Sequence, residues 1–271
     1  MRRTVLGLSI ILALASTGGA PTRAVSRAGR DSGSANRQAA NGPESQAGLP
    51  GGWSAAVQDS IRQQEYEASR SDGAVLPGLA GTLQAPNRAQ GFRTYFTPSG
   101  IEVVPRTDAA PSWTWGLDLA RYGFEGNLVE AGGVDPGATG NRVEYRRGLL
   151  TEWYVNDGRG LEQGFTFDSA SPVPVGSQGP PPLVVELGLH GSLSPAMSLD
   201  GAIAFALPSG AVVRYGQLSA RDATGRSLPA ALALVRGGSS SREDRIRITV
   251  ASAGAVFPVT IDPLAVSADW T

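Results

Sequence analysis

Between residues 92 and 261 the sequence alternates apolar and polar residues in short runs that are separated by glycine and proline. A period of two places successive side chains on opposite faces of a β-strand, whereas a helix needs a period near 3.6. The runs recur at roughly 8–15 residues without helical segments between them. With 36 Gly and 19 Pro in 271 residues to form turns, the pattern predicts a mostly β fold of antiparallel, sandwich-like sheets.

A Pro-rich bridge at 168–182 interrupts the series, and proline cannot pair in the centre of a sheet. It separates a first β-rich half within 53–167 from a second at 183–266, and 267–271 is a short tail. The apolar residues that alternation groups on one face of their strands are Phe92, Phe96, Ile101, Val103, Trp113, Trp115, Leu117, Leu119, Val143, Tyr145, Leu161, Phe165, Phe167, Leu183, Val185, Leu187, Leu189, Ile203, Phe205, Leu207, Val213, Tyr215, Ile246, Ile248, Val250, Phe257, Val259 and Ile261.

The strongest turn signal lies between the runs at 151–155 and 161–167. These runs flank Asn156-Asp157-Gly158-Arg159-Gly160, and a central Asp-Gly between two alternating runs is typical of a β-hairpin. The glycines also resemble a dinucleotide-binding fingerprint. Their last gap is three residues rather than two, and a strand follows instead of a helix, so we interpret the segment as a hairpin.

The first 24 residues have the three-part layout of a secretory signal peptide. Met1-Arg2-Arg3 is a positive start, residues 5–15 are an apolar run, and residues 16–24 are small and polar. The apolar run is shorter than the ~20 residues that span a bilayer. We therefore expect cleavage between Gly18 and Ala24 and a mature chain, without a membrane span, that is secreted or held at the cell surface.

Residues 25–52 and 53–70 differ in their capacity to fold. The segment 25–52 has almost no apolar residues after Val25 and is expected to be a flexible, low-complexity spacer. Trp53, Val57 and Ile61 follow at a spacing of four residues, which predicts one amphipathic helix over 53–70.

Composition excludes several classes of function. The 23 cationic side chains, all Arg, nearly balance 24 Asp and Glu, so the net charge of −1 argues against nucleic acid as a partner. The sequence has no Cys and no Lys, and its one His cannot supply a zinc site on its own. We therefore predict no catalytic residues, no metal and no cofactor, and a protein that is not an enzyme.

The single histidine, His190, lies by alternation on the face opposite Leu187 and Leu189, which predicts a solvated histidine at a sheet edge. Four carboxylates near the hairpin could in principle approach the ~5–9 Å separation used in glycoside hydrolysis. We interpret them instead as residues on the wet face of the hairpin: Glu144, Glu152, Asp157 and Glu162.

Several short segments occur in an order that resembles a known family. Tyr145-Arg146 ends one strand, Trp153-Tyr154 lies in the next, residues 161–167 follow the Asp-Gly turn, residues 213–217 read VRYGQ, and Ile261-Asp262-Pro263 closes the series. Over about 53–266 the sequence is similar to the amino-terminal β-rich domain of bacterial secreted proteins that carry FG-GAP (integrin-α-like) or related β-propeller repeats. In that family the repeats follow this domain, and the domain has no known catalytic residues.

The resemblance implies a secreted or surface-exposed, non-enzymatic module that supports a propeller domain or binds a protein or glycan partner at the cell surface. Because the sequence ends at Thr271 before any repeat, it indicates either a truncated reading frame or a domain that stands alone. Asp262 is interpreted as a turn residue that ends strand pairing. The alternative function is a carbohydrate-binding or cell-wall polysaccharide-acting protein, with Trp153 and Tyr154 exposed as a binding platform.

Overall fold

A computed structural model describes residues 65–70, 73–169, 181–238 and 243–268. Within these residues the chain forms seventeen strands joined by turns and bends, with no helix. The strands are β1 (Ser69–Arg70), β2 (Leu83–Asn87), β3 (Phe92–Phe96), β4 (Gly100–Pro105), β5 (Trp115–Phe124), β6 (Asn127–Glu130), β7 (Gly137–Thr139), β8 (Arg142–Arg147), β9 (Leu150–Asp157), β10 (Gly160–Phe167), β11 (Leu183–Gly191), β12 (Ser194–Met197), β13 (Ile203–Leu207), β14 (Gly210–Arg221), β15 (Ala230–Val235), β16 (Arg245–Val250) and β17 (Val259–Ser267).

The strands form two antiparallel sheets. The first has nine strands in the order β1-β2-β3-β4-β5-β11-β16-β15, with β6 paired to the second half of β5. The second has eight strands in the order β12-β13-β14-β17-β10-β9-β8-β7. The predicted mostly β fold with antiparallel, sandwich-like sheets is therefore confirmed.

Both sheets combine strands from before and after the Pro-rich bridge. In the first sheet β5 pairs with β11, and in the second β10 pairs with β17. One hydrophobic core contains residues from both sheets, including Trp115, Leu187, Phe165 and Ile261. The chain before the bridge thus shares its core with the chain after it.

Alternation along single strands explains which residues reach the core. In β16 the residues Ile246, Ile248 and Val250 are fully buried, whereas Arg245 and Arg247 alternate with them and remain half-buried. Apolar side chains on one face and charged ones on the other are expected when only one face of a sheet packs on a core. The predicted alternation is confirmed for this strand.

The predicted Asp-Gly hairpin is confirmed, and it also fastens the two sheets to each other. Asp157 pairs with Gly160 across the turn between β9 and β10. Asn87, at the end of β2 in the first sheet, donates through Nδ2 to the carbonyl oxygen of Asp157 and to Oδ1 of Asn156, both at 2.8 Å. Asn156 donates in turn to the carbonyl oxygen of Pro86 at 2.8 Å. The turn is therefore a fixed junction between the sheets.

The predicted helix over 53–70 is not confirmed. Residues 65–70 form a turn followed by β1, which contradicts its carboxy-terminal end, and residues 53–64 lie outside the described residues. The predicted signal peptide at 1–24 and the spacer at 25–52 also lie outside them, as do 170–180 of the bridge and 269–271 of the tail. No helix in the described part of the chain is long and apolar enough to cross a membrane.

Candidate functional site

The outer face of the first sheet carries a row of residues contributed by four neighbouring strands. Tyr95 of β3 pairs with Glu102 of β4, Glu102 with Gly116 of β5, and Gly116 with His190 of β11. Cross-strand partners in an antiparallel sheet point to the same face, and this face is opposite the one that buries Trp115 and Leu117. The register therefore aligns Glu102 and His190 on either side of a glycine.

Gly116 is the residue that allows His190 and Glu102 to meet. A Cβ atom at position 116 would lie 2.0 Å from Nε2 of His190 and 2.2 Å from Cε1, so the imidazole occupies the space of the missing side chain. In this position Nε2 of His190 lies 3.1 Å from Oε1 of Glu102. Any larger residue at 116 must displace the ring.

The prediction of a solvated histidine at a sheet edge is partly right. His190 lies near the end of β11, beyond the residues Leu183–Gly188 that pair with β16, so β11 pairs only with β5 at this point. Its side chain is 32% exposed, but it is hydrogen-bonded to Glu102 and its buried Nδ1 atom has no hydrogen-bond partner among the described residues. Sequence alternation identified the correct face but could not supply Glu102, which is distant in sequence and adjacent only through the register of β4, β5 and β11.

Asp118 adds a second carboxylate to this face, one row away. It pairs with Gly100 on β4 and with Gly188 on β11, so both of its cross-strand partners are glycines. Burial raises the pKa of both Asp118 and Glu102, and the nearby His190 opposes this increase in each case. Both carboxylates therefore lie where a negative charge is poorly solvated.

A cleft of about 410 Å³ opens beside the Glu102–His190 pair. The loop at 73–82 forms one wall with Leu76, Pro77 and Leu79, while Thr97 and Thr114 contribute polar groups. The loop is attached to the sheet because the N–H of Val75 donates to the Tyr95 hydroxyl at 3.3 Å. We call this opening, with Glu102 and His190 in its lining and the 73–82 loop as its apolar wall, the His190 cleft.

Three of the four hairpin carboxylates are engaged by arginine side chains at the surface. Glu144, Asp157 and Glu162 lie near the surface in ion pairs with Arg142, Arg146 and Arg159. The wet-face interpretation of Glu152 is wrong, because this residue points between the sheets and is fully buried.

Glu152 is enclosed by donors on the inner face of the second sheet. Its Oε1 accepts from the Tyr154 hydroxyl at 2.7 Å and from Nε2 of Gln163 at 3.1 Å, and its Oε2 accepts from Nε of Arg147 at 3.3 Å. The Tyr215 hydroxyl extends the chain of bonds to Oε1 of Gln163 at 2.6 Å. Burial raises the pKa of Glu152, against the effects of Arg147 and the hydrogen bonds. A group so enclosed is part of the core and is not available to a ligand.

The predicted aromatic platform is also wrong. Tyr154 is 1% exposed and lies in the core, and Trp153 is 8% exposed on the outer face of the second sheet. Trp153 lies flat over Gly164, donates to Oγ1 of Thr166 at 3.1 Å and is covered by Arg142, whose Cζ is 4.4 Å from the ring centroid. Neither ring presents an open face to a sugar.

Asp262 is not the turn residue that the sequence predicted. It lies inside β17, which continues to Ser267, and it pairs with Ser219 beside the bulge of β14, where the Ser219 hydroxyl donates to Oδ1 of Asp262. The Asp-Pro dipeptide therefore accompanies an irregularity within the strand and does not end it.

A larger groove, about 580 Å³, is lined by β14, β17 and the edge strand β15. Its two charged side chains, Asp200 and Arg214, pair with each other. It therefore offers a ligand less uncompensated charge than the His190 cleft does.

Among the described residues no group of three or more His, Asp and Glu side chains is placed to hold a metal ion. Compared with known protein families and with curated proteins, the chain matches none. The geometry of the His190 cleft is therefore the basis for a functional proposal.

Proposed function

We propose that the protein is an extracytoplasmic, non-enzymatic β-sandwich that binds a partner at the cell surface through the His190 cleft. The observation that carries the proposal is the Glu102–His190 pair, which is preset across Gly116 and opens into a cleft with an apolar wall. Ligand sites in proteins commonly combine a few fixed polar groups with apolar lining.

The strands that hold Glu102 and His190 support a binding role, because they fix the positions of these side chains. Glu102, Gly116 and His190 lie on three neighbouring, hydrogen-bonded strands of the first sheet. Side chains placed on regular strands hold their positions more closely than side chains on loops. The wall at 73–82, Thr97 and Thr114 lie outside the strands, so the Glu102–His190 pair is preorganised while the rest of the lining can adapt.

The extracytoplasmic location rests on the signal-peptide pattern at 1–24, and the resemblance to the domain that precedes FG-GAP repeats agrees with a role at the cell surface. In that context the module would hold a propeller domain in place or contact a neighbouring surface protein. A fusion of residues 1–24 to a reporter that is active only outside the cytoplasm tests the location. A cytoplasmic reporter signal would contradict it.

The binding role can be tested with the full chain and isolated envelope fractions. We expect the wild-type chain to bind the fractions, and we expect Glu102→Gln and His190→Ala to weaken binding at least about tenfold, or about 1.4 kcal/mol. Glu130→Gln is the matched control, because Glu130 is an exposed carboxylate on β6 of the same sheet. Equal binding by wild type and both cleft variants would contradict the proposal, and release of sugars from the envelope by the wild-type chain would favour the polysaccharide-acting alternative.

A further inference from the structure

We propose that the His190 cleft binds a basic side chain, an arginine or lysine presented by a partner polypeptide. The charged head would contact the carboxylate of Glu102 in the lining of the cleft, and the methylene stem would lie along the apolar wall of Leu76, Pro77 and Leu79. Asp118, one row away on the same face, would add negative charge nearby. This inference rests on the proposed function and names the ligand chemistry of the same site.

The carboxylates in and beside the cleft favour a cationic ligand. Glu102 makes one hydrogen bond among the described contacts, through Oε1 to His190, and its Oε2 remains available as an acceptor. Asp118 makes no side-chain hydrogen bond in the described part of the chain, and Glu243 adds a further negative charge near it. Burial disfavours the charged form of both Glu102 and Asp118, so a bound cation would stabilise them.

The cations already near these carboxylates do not neutralise them. The charge of Arg147 acts to lower the pKa of Asp118, but Arg147 forms its ion pair with Glu152 between the sheets. Arg245, on β16 across from Gly188, has its Nη1 3.9 Å from Glu186. His190 carries a charge only when it is protonated. Within the part of the chain that the structure describes, no arginine forms an ion pair with Glu102 or Asp118.

Glu102 and Asp118 lie close enough to act on one cation. Glu102 lies opposite Gly116, and Asp118 is two residues farther along β5, so the two carboxylates are diagonal neighbours at about 7–8 Å between backbones. Gly188 leaves the space beside Asp118 open, because a Cβ there would lie 3.8 Å from its nearest neighbour, whereas the His190 imidazole fills the space over Gly116. A planar guanidinium, which has five donors in a fixed fork, is suited to donate to Glu102 at a distance where the charge of Asp118 adds attraction.

The apolar wall of the cleft suits the methylene stem of a basic side chain. Lysine and arginine side chains bury their methylene stems against apolar surface while the charged head remains with polar partners. Leu76, Pro77 and Leu79 provide such a surface on the same cleft that exposes Glu102. A small inorganic cation would use the carboxylates alone and would leave this wall without a role.

The single histidine makes the test unusually direct. Because the chain has one His, its imidazole gives one set of ring signals in an NMR spectrum, and those signals report on the cleft itself. The full chain is titrated with Nα-acetyl-arginine amide, Nα-acetyl-lysine amide and, as a neutral isostere of arginine, Nα-acetyl-citrulline amide. We expect a saturable shift of the His190 signals with at least one basic probe, with a Kd near the millimolar range, and no saturable shift with citrulline.

Glu102→Gln keeps the shape of the side chain and removes its charge, so it should weaken binding of the basic probe at least about fivefold. Glu144→Gln is the control, since Glu144 is a surface carboxylate already paired with Arg142. Dispersed ring signals and an unchanged urea midpoint show that each variant is folded. No saturable shift with either basic probe, an equal shift with citrulline, or unchanged binding in Glu102→Gln would overturn the inference.

The two proposals fail in different ways. If envelope binding depends on Glu102 and His190 but neither basic probe binds, the ligand chemistry is wrong and the binding function stands. If a basic probe binds at His190 but envelope binding is the same in wild type and cleft variants, the site binds cations as inferred and the proposed function is wrong.

Discussion

Two glutamates occupy comparable central strands of the two sheets but face in opposite directions. Glu152 of β9 points between the sheets, where Arg147, Tyr154 and Gln163 enclose it. Glu186 of β11 points to the outer face, where its carboxylate lies between two arginines. Both side chains are buried, at 0% and 6% exposure, yet the first is covered by packed core and the second by arginine side chains that remain partly exposed.

The difference lies in what happens to each carboxylate when a partner is lost. The interior site admits no water without disruption of the core, so a lost donor leaves a charge unpaired in a low dielectric. On the outer face, water can replace a lost arginine because the arginines are already about one-third exposed. Burial of a carboxylate therefore does not by itself indicate how strongly it is tied to the fold.

The largest expected effect is the loss of Arg147. Arg147→Ala removes the cation that pairs with fully buried Glu152, and removal of one partner of a buried ion pair typically costs about 3–5 kcal/mol. Arg147 also donates to the carbonyl oxygen of Gly132, so a loop loses its anchor as well. Urea denaturation measures the change in the free energy of unfolding.

Arg146→Ala is the control for that measurement, because Arg146 is the neighbouring residue and is 82% exposed. Its loss should change stability by no more than about 0.5 kcal/mol. If Arg147→Ala and Arg146→Ala lose similar stability, the buried ion pair contributes no more than an exposed one. Glu152 would then not be more strongly tied to the fold than Glu186.

A smaller effect is expected from Gly116→Ala. The new Cβ would lie 2.0 Å from Nε2 of His190, so the ring must leave Glu102. Because this ring is the end of a flexible, partly exposed side chain that can turn toward solvent, we expect a loss of about 1 kcal/mol. The His190 ring signals should shift at the same time. Gly188→Ala is the matched control, because its Cβ would be 3.8 Å from the nearest atom, the carbonyl oxygen of Asp118, and should be tolerated. Unchanged ring signals in Gly116→Ala would contradict the assigned position of the imidazole.

Gly116 also shows where sequence reasoning reaches its limit. Alternation correctly placed Trp115 and Leu117 on the buried face and hence Gly116 and Asp118 on the other. It could not show that Glu102 and His190, 88 residues apart, would meet across that glycine. Pairing of β5 with β11 depends on sheet order, which a local pattern does not specify.

The buried glutamate escaped prediction for a different reason. Alternation groups Glu152 with Leu150 and Tyr154 on one face of β9, but a charged side chain is normally assigned to solvent. Only the donors from Arg147, Gln163 and Tyr154 make the inward position tolerable, and two of them lie on other strands. An inward-facing Glu whose neighbours at two residues on either side are apolar or aromatic is the signal that could have identified it.

The next expected effect is a dependence of stability on pH that arises from Glu152. Burial raises the pKa of Glu152 in the folded chain, so the folded state binds this proton more tightly than the unfolded state does. Its contribution to stability is present below the unfolded pKa and is lost as the pH rises through the folded pKa. The stability of wild type relative to Glu152→Gln should therefore fall as the pH rises above the ordinary pKa range of a glutamate.

Glu144→Gln should show the opposite and weaker trend. Hydrogen bonds from Arg142 and Arg146 lower the pKa of Glu144, so its contribution is present above the unfolded pKa and is lost as the pH falls through the folded pKa. Urea midpoints across the pH range measure both differences. If the urea midpoints of wild type and Glu152→Gln change with pH in parallel, the pKa of Glu152 is not raised.

The smallest effect is expected on the outer face. Arg247 donates to Oε1 of Glu186 at 2.8 Å and to Oε1 of Glu125 at 2.7 Å, yet its side chain is 27% exposed. Arg121 still holds Oε2 of Glu186 after the substitution Arg247→Ala, and water can reach Oε1. We therefore expect a loss of about 1 kcal/mol or less, which shrinks further as salt is raised toward about 1 M because exposed pairs are screened.

Arg147→Ala should keep its full cost at the same salt concentration, since its ion pair is out of reach of mobile ions. A loss at Arg247 that equals the loss at Arg147 and does not depend on salt would show that the arginines on the outer face seal Glu186 as completely as the core seals Glu152.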